Sequence, residues 1–268
     1  MIYDITGKDN KTLKHIRSLK RKTARYESRE YIAEGLRLVL EALEFSPDDI
    51  RCIVISESFF EKEEDTAEYA GRICNKIYRV SDTAFAAISD TDTPQGILAV
   101  MNMSGGDFDA SPEQHFIAVL DGVSEPGNMG TVIRTAEAVG FDGLYLMKGC
   151  NDIYSPKTVR ATMGSLFRMK FRIGCTADDI LELKNKGFTV ISTTPSGDAE
   201  LETYRAGKNT AVVIGNEAHG VSREVLDISD VRLKITMDGM AESLNAAVAA
   251  GIVMHWLKLC RDDGSKRR

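Results

Sequence analysis

Residues 125–141 read "EPGNMGTVIRTAEAVGF" and follow an apolar run, Phe116–Leu120. A buried strand that leads through a glycine-bearing turn into a helix is the repeating unit of a parallel α/β sheet. The turn does not fit the two best-known uses of such a unit. Gly127 and Gly130 do not complete G-x-G-x-x-G, and no G-K-[ST] closes the segment, so neither a dinucleotide fingerprint nor a phosphate loop is present. Instead Asn128 sits in the turn and Arg134 lies one and a half helical turns further on, with the helix expected over Gly130–Val139. In open α/β sheets ligands collect at the carboxyl ends of the strands, and these two residues are placed there.

Downstream, the same alternation continues. "HFIAVLDGV", "GLYLMKG", "FTVISTTP", "AVVIGNE" and "VRLKITM" are short apolar runs of the kind found in parallel strands covered on both faces. Further helices are expected at Pro156–Phe167, Asp178–Lys186, Ser222–Leu226 and Ser243–Leu259. Upstream, "SGGDFDASPEQ" is polar with Gly, Ser and Pro, and reads as a linker over 104–113. The chain therefore divides into a smaller α/β unit over 1–103 and a parallel-sheet unit over 114–268.

In the first unit the strongest feature is charge. "KDNKTLKHIRSLKRKTARYESRE" carries Lys8, Lys11, Lys14, Arg17, Lys20, Arg21, Lys22, Arg25 and Arg29 against few acids, although the whole chain has a net charge of −6. Leu13, Ile16 and Leu19 recur at helical spacing, which predicts one amphipathic helix with a basic outer face. A charge run alone is most often a solvated surface; the sharper alternative is a phosphate-contacting face. "EGLRLVLEALEF" then predicts a helix ending near Pro47, "RCIVISESFF" a buried strand, Glu61–Asn75 a charged helix, and "KIYRVSD" and "QGILAVMNM" strands around a short helix at Thr83–Ile88.

Composition excludes several classes. With 43% hydrophobic and 28% charged residues over 268 positions, the chain has the makeup of a globular protein that buries full cores. Cys52, Cys74, Cys150, Cys175 and Cys260 form no C-x-x-C pair, so a zinc site is not expected and the thiols read as reduced. No signal-peptide pattern opens the sequence, and the longest apolar run, Ala246–Met254, is too short to span a bilayer. A cytoplasmic protein with no membrane association and no metal is the expectation.

Two more strand ends resemble the first in kind. "VVIGNEAHGVS" runs a strand into Gly215, Asn216, Glu217 and Gly220, and "LKITMDGMAESLNAAVAAGIVMHW" places Ser243, Leu244 and Asn245 before a long Ala-rich helix. Singly each has an ordinary explanation. Arg134 suits a surface helix, Asn128 suits a turn, Gly-Asn is a turn signal, and Ser243 is a good N-cap.

Together, N-x-G-x-x-x-R-T-A (Asn128–Ala136), I-G-N-E-A-x-G (Ile214–Gly220) and I-x-M-x-G-x-x-x-S-L-N (Ile235–Asn245) resemble the three motifs of the SpoU branch of the SPOUT RNA methyltransferases. "YSPKTVRATMGSLF" resembles the segment between the first two, and "NKTLKHIRSLKRKTARYESREYIAEG" with "TDTPQGILAV" resembles the substrate-binding domain of many members. The resemblance covers essentially the whole chain. It implies an α/β protein with a C-terminal parallel-sheet SPOUT domain closed by a deep trefoil knot, rare among folds. It also implies a smaller N-terminal α/β RNA-binding domain of the ribosomal-protein L30e-like kind. The expected activity is metal-free transfer of a methyl group from S-adenosylmethionine to a ribose 2′-hydroxyl of RNA by a homodimer. On that resemblance Arg134 lies at the reacting hydroxyl beside Asn128, Glu217 orients the second motif, and Ser243 and Asn245 complete the catalytic set. Gly215, Ile235 and Leu244 hold the adenosine, with Thr193, Asn216, Gly220 and Met237 around it. RNA contacts are assigned to Lys11, Lys14, Arg17, Lys20, Arg21, Lys22, Arg25, Lys157 and Arg160, with the tail "SKRR" as a further candidate. "SLNAAVA" departs slightly from the more common "SLNVS" or "SLNVA" by a smaller packing residue at Ala246.

Methyl transfer to a hydroxyl needs an aligned attack and a lost proton, and alignment alone supplies up to about 7–11 kcal/mol. Arginine is a poor base: its guanidinium loses a proton only far above neutrality, so its neutral form at pH 7 costs roughly 8 kcal/mol. A charged Arg134 that grips the neighbouring phosphate bidentately and orients the hydroxyl fits the residue type better. His219 is close in sequence and reads as a loop residue. Substrate domains of this kind point to 23S ribosomal RNA ahead of transfer RNA, by analogy alone. The rivals are a transfer-RNA methyltransferase, a non-catalytic RNA-binding SPOUT dimer and a base methyltransferase. A Rossmann oxidoreductase is excluded by the missing glycines.

Overall fold

β-branched and aliphatic residues fill the strand segments of this chain, and every residue of Phe116–Asp121 and of Thr210–Gly215 is buried. Such runs form central strands because a parallel sheet is covered on both faces. The computed structural model describes residues 2–7, 10–241 and 243–265, with helix side chains described through Leu259. Lys8, the Cys260 side chain and the tail residues 266–268 lie outside the described residues.

The elements run β1 (Ile2–Ile5), α1 (Lys11–Ser18), α2 (Lys22–Ser28), β2 (Glu30–Glu34), α3 (Leu36–Phe45), β3 (Ile50–Ser56), α4 (Glu57–Lys62), α5 (Glu64–Ile73), β4 (Ile77–Val80), α6 (Asp82–Ile88) and β5 (Ile97–Asn102). They continue with β6 (Phe116–Asp121), α7 (Pro126–Ala138), β7 (Gly143–Met147), α8 (Pro156–Thr162), β8 (Phe171–Cys175), α9 (Ala177–Asn185), β9 (Thr189–Thr193), β10 (Ala199–Glu200), β11 (Thr210–Gly215), α10 (Arg223–Ile228), β12 (Val231–Lys234) and α11 (Ala246–Ser265). Two compact units result: residues 1–104 with 152–168, and residues 105–151 with 169–268.

The first unit holds a mixed sheet in the order β1-β4-β3-β5-β2. β5 is antiparallel to both β2 and β3, whereas β4 is parallel to β1 and β3. The basic segment is two short helices and not one. Leu13, Ile16 and Leu19 are buried as their spacing requires, but the chain turns at 19–21 before α2. The strand "RCIVIS" stops at Ser56, whose hydroxyl accepts the Phe59 N–H and caps α4. β2 was not legible because Glu30 and Glu34 bracket "YIA". Both carboxylates are buried and satisfied, Glu30 by Arg51 and His15, Glu34 by Ser89, Thr91 and the Asp90 N–H.

Arg25 is the clearest correction to the expected RNA-binding face. It is 3% exposed, and its guanidinium donates to Asp152 Oδ2 at 2.5 and 3.1 Å and to the carbonyls of Leu19 and Lys20 at 2.8 and 2.9 Å. It closes the α1–α2 turn and fixes the segment 152–168, leaving nothing to offer a phosphate. Within that segment the expected helix breaks after Thr162. Met163 and Gly164 are left-handed, and a Cβ on Gly164 would stand 2.8 Å from Glu41 Cγ.

The second unit holds a sheet in the order β10-β12-β9-β11-β6-β7-β8, with every pairing parallel. Its core includes Ile117, Val119, Tyr145, Val190 and Val213, with Ile180, Leu183 and Val225 of α9 and α10 packed on it. Residues 105–110, expected to be linker, belong to this unit. Gly106 and Asp107 bridge to Arg172, the Phe108 N–H donates to the Phe171 carbonyl, and Ala110 is buried with its N–H on the Tyr145 hydroxyl. The Phe108 ring occupies the space left by Gly143, where a Cβ would come within 2.2 Å of it. Among the described residues no helix is long and apolar enough to cross a membrane.

Removing one partner of a buried, fully bonded ion pair costs about 3–5 kcal/mol. Arg25→Met is therefore expected to lower the stability of the first unit by about that amount, and Arg25→Met with Asp152→Leu to recover most of it. Urea unfolding followed by circular dichroism measures both; equal stability of the single variant and the parent would refute the assignment.

Candidate active site

The adjacent strands β6 and β11 end side by side, Leu120 opposite Ile214 and Asp121 opposite Gly215. β7 and β8 lie on one side of β6, and β9, β12 and β10 lie beyond β11. The sheet order therefore reverses direction here, which is where open α/β sheets leave a crevice.

After β6 the chain enters α7 earlier than its pattern suggests. Glu125 is the N-cap, Pro126 takes the first helical position, and Asn128 is already in the first turn, its N–H donating to Glu125 Oε2 at 2.6 Å. Proline suits that position because its missing N–H has no intrahelical partner there. After β11, Asn216 and Gly220 exchange backbone hydrogen bonds at 2.9 Å. Asn216 also donates its side-chain amide to the Gly122 carbonyl at 2.8 Å, joining the two strand ends.

Glu217 is the hub. Its Oε2 accepts from the Ser124 N–H and hydroxyl at 3.2 and 3.0 Å, and its Oε1 from the Glu125 N–H at 3.2 Å and Asn128 Nδ2 at 3.0 Å. Asn128 Oδ1 in turn accepts from Asn245 Nδ2 at 2.9 Å. Asn245 Oδ1 accepts the N–H groups of Ala247 and Val248, so Asn245, and not Ser243, starts α11. Partial burial works against the charge on Glu217, but the Asn128 amide and the backbone N–H groups of Glu217, Ser124 and Glu125 outweigh it and hold the carboxyl down at about 2. A carboxylate so held is an acceptor for the scaffold and not a proton acceptor at neutral pH.

Beside this network lies a cleft of about 360 Å³ over the ends of β12, β9 and β11, within the range of small-molecule sites. The positions assigned to the cofactor, Thr193, Gly215, Asn216, Gly220, Ile235, Met237 and Leu244, all line it, as do Glu217, His219 and Ser243. Its walls suit a nucleoside: Leu226, Leu233, Ile235 and Leu244 offer apolar surface, with Thr194, Asn216 and Ser243 as polar groups. Gly215 is obligatory, since a Cβ there would fall 2.2 Å from the backbone of Gly220 and Val221. The residues present therefore fit S-adenosylmethionine.

Other assigned residues divide. Arg134 is exposed on α7, outside the residues lining the cleft and outside the Glu217 network. Lys11, Lys14, Arg17, Arg21, Lys22 and Lys157 are exposed. Lys20 is half-buried with its ammonium on the Ser89 carbonyl, and Arg160 pairs with Asp90 at 2.9 Å. Ser124 and Glu125 were missed as parts of the site; the signal available was an acidic residue immediately before proline at a helix start. His219 is a loop residue, as its sequence context suggests, with Nδ1 3.1 Å from Asn216 Oδ1.

Comparison with known proteins agrees with this geometry. Residues 115–255 match the SpoU rRNA Methylase family and residues 10–99 the MRM3-like substrate binding domain. The chain is 33% identical to the Bacillus subtilis 23S rRNA (guanosine(2553)-2′-O)-methyltransferase RlmP, over 95% of this chain and 98% of that protein. The crystal structure of an AdoMet-bound rRNA methyltransferase from Sinorhizobium meliloti superposes with a TM-score of 0.86 at 30% identity, covering 96% of this chain and 98% of that one. A putative TrmH-family RNA methyltransferase from Porphyromonas gingivalis gives 0.80 at 28% identity, covering 91% and 96%. With its three motifs following the carboxyl ends of strands of one sheet, and with these matches across both units, the protein belongs to the SpoU family of RNA methyltransferases.

Proposed function

We propose that this protein transfers a methyl group from S-adenosylmethionine to a ribose 2′-hydroxyl of 23S ribosomal RNA. The observation that carries the proposal is the continuity of the cleft with the Glu217–Asn128–Asn245 network: one carboxylate fixes the first motif against the second, and one amide fixes the third against the first. The named activity of the Bacillus subtilis relative supports the choice of RNA.

When bound, S-adenosylmethionine supplies an electrophilic methyl group on a sulfonium. The chain supplies position. Glu217, ionised throughout the neutral range, holds Ser124, Glu125 and Asn128 in place, and Asn128 holds Asn245 at the start of α11. The apolar walls keep water from the adenosine side of the cleft. The Arg134 guanidinium serves to grip the phosphate beside the target ribose. The side chains of Ser243 and Leu244 border the cleft.

A homodimer and a cytoplasmic location belong to the same proposal. Val248, Ile252 and Leu259 of α11 are 52%, 41% and 44% exposed and recur along one side of the helix. A stripe of this kind marks an association face, and a second copy of the chain is the occupant proposed. The C-terminal knot goes with the proposal too; its support is that Ser243, Leu244, Ala246 and Ala249, reached only after β12, line the cleft.

Loss of the Glu217 carboxylate leaves the Ser124, Glu125 and Asn128 donors without their common acceptor. Glu217→Ala is expected to lower kcat by roughly 10- to 100-fold. A carboxyl with a depressed pKa keeps its hydrogen bonds above its unfolded value and loses them only as pH falls through about 2. The rate profile between about pH 5 and 9 is therefore expected to keep its shape in the variant, and a lost acidic or alkaline limb would identify Glu217 as a proton carrier instead. Ile252→Glu is expected to sediment at half the mass of the parent; an unchanged mass would reject this face.

The activity is tested by mapping 2′-O-methyl sites in RNA from a strain lacking the gene, from the parent, and from cells carrying Arg134→Ala. Loss of one 23S site in both altered strains is the expected result. Loss of a transfer-RNA site would redirect the substrate, and an unchanged map would favour an RNA-binding protein without catalysis.

A further inference from the structure

The first unit presents basic side chains, but charge alone contacts phosphates and reads no base. One residue in the basic segment is of a different kind. Tyr26, on α2, is 44% exposed, and its neighbours Arg21, Lys22 and Arg29 are exposed cations.

Its ring is held. The Tyr26 hydroxyl donates to Asp152 Oδ1 at 3.2 Å, and Asp152 is itself anchored by Arg25 through its other oxygen and by the Tyr154 N–H. Burial of the phenol, followed by the charge and hydrogen bond of Asp152, raises the Tyr26 pKa to about 12 against the opposing charge of Arg25, so the hydroxyl keeps its proton and its bond. The Lys22 ammonium lies over one face of the ring, 5.6 Å from its centroid, and swings aside when a base takes that face. Tyr26 keeps nearly half of its surface exposed, and the tie at its hydroxyl, which lies on the long axis of the ring, fixes the direction in which the ring projects.

Resting on the reading of this chain as an RNA methyltransferase, we propose that Tyr26 is a stacking platform for an unpaired base of the RNA substrate, with Lys22 on the adjoining phosphate. Unpaired bases are recognised by stacking on aromatic rings because each base has a π-face. A duplex, whose bases are already stacked, gains nothing from such a ring. The first unit thereby prefers single-stranded segments, loops or bulges, which its basic charge alone does not specify.

The test uses the full chain and two probes, a single-stranded 12-mer of oligoadenylate and an RNA duplex of the same length, titrated across a range of salt. Tyr26→Leu is expected to weaken single-strand binding about 5- to 100-fold with the salt slope unchanged, and to leave duplex binding as it is. Tyr26→Phe and Tyr26→Trp keep a ring and are expected to bind the single strand within a few-fold of the parent. Lys22→Ala is expected to lower the salt slope by about one phosphate contact. Unchanged single-strand affinity in Tyr26→Leu, or equal losses for both probes, overturns the platform. A parent chain that binds both probes and methylates RNA while Tyr26→Leu is indistinguishable from it rejects this inference alone; a parent that binds neither probe and transfers no methyl rejects the methyltransferase reading with it.

Discussion

A single carboxylate organises the second unit. Glu217 accepts only when ionised, and an ionised carboxylate has room for about four donors. Ser124 and Glu125 come from the end of β6, Asn128 from the first turn of α7, and Asn245, one hydrogen bond removed, from the start of α11. These groups are far apart in the chain. Each on its own is a loop end or a helix start with orphan polar groups, and Glu217 draws them to one point. The register between β6 and β11 sets that point, because a slip of one residue would carry Glu217 away from the donors at 124 and 125.

The first unit follows the same logic with the opposite sign. Arg25 is a donor-only group, and it gathers the carbonyls of Leu19 and Lys20 and the carboxylate of Asp152. Buried ionic groups of this kind contribute little net stability compared with apolar packing. What they do is tie segments that have no sheet pairing with one another. The α1–α2 turn and the residues after 151 are held by one guanidinium, and the phenol of Tyr26 is oriented by the far side of the same aspartate.

Much of the second unit was legible because most of its strands carry apolar runs and its helices start at capping residues, as at Thr176 with Asp179 in α9, whereas the strands β8 and β10, one half-polar and the other two residues long, were not read. The cofactor positions could be assigned because three motifs share one family pattern, and the cleft gathers them. Less could be read where polar residues go inside. β2 is framed by two glutamates whose partners lie at Arg51, Ser89 and Thr91, and no local pattern announces those partners. Arg25 has the same appearance in sequence as Arg21 or Lys22, yet it is buried while they are exposed. The segment at 105–110 looks like linker because its anchor, Phe108, fits a space made by the absence of a side chain at Gly143. The start of α7 was set too late because Gly127 and Gly130 weaken the helical pattern, while the acidic cap before Pro126 outweighs them.

The division of the chain has a consequence in time. The first unit needs Asp152 and the residues up to 168, yet β6, α7 and β7 of the second unit precede them in sequence. During synthesis the first unit therefore waits, with Arg25 lacking its counter-charge, until strands of its neighbour have already emerged. The second unit waits longer still, since a wall of its cleft is made by Ser243, Leu244 and Ala246. A nascent chain of this protein has neither half complete until residue 168 has emerged, and the cleft lacks a wall until Ser243, Leu244 and Ala246 have followed.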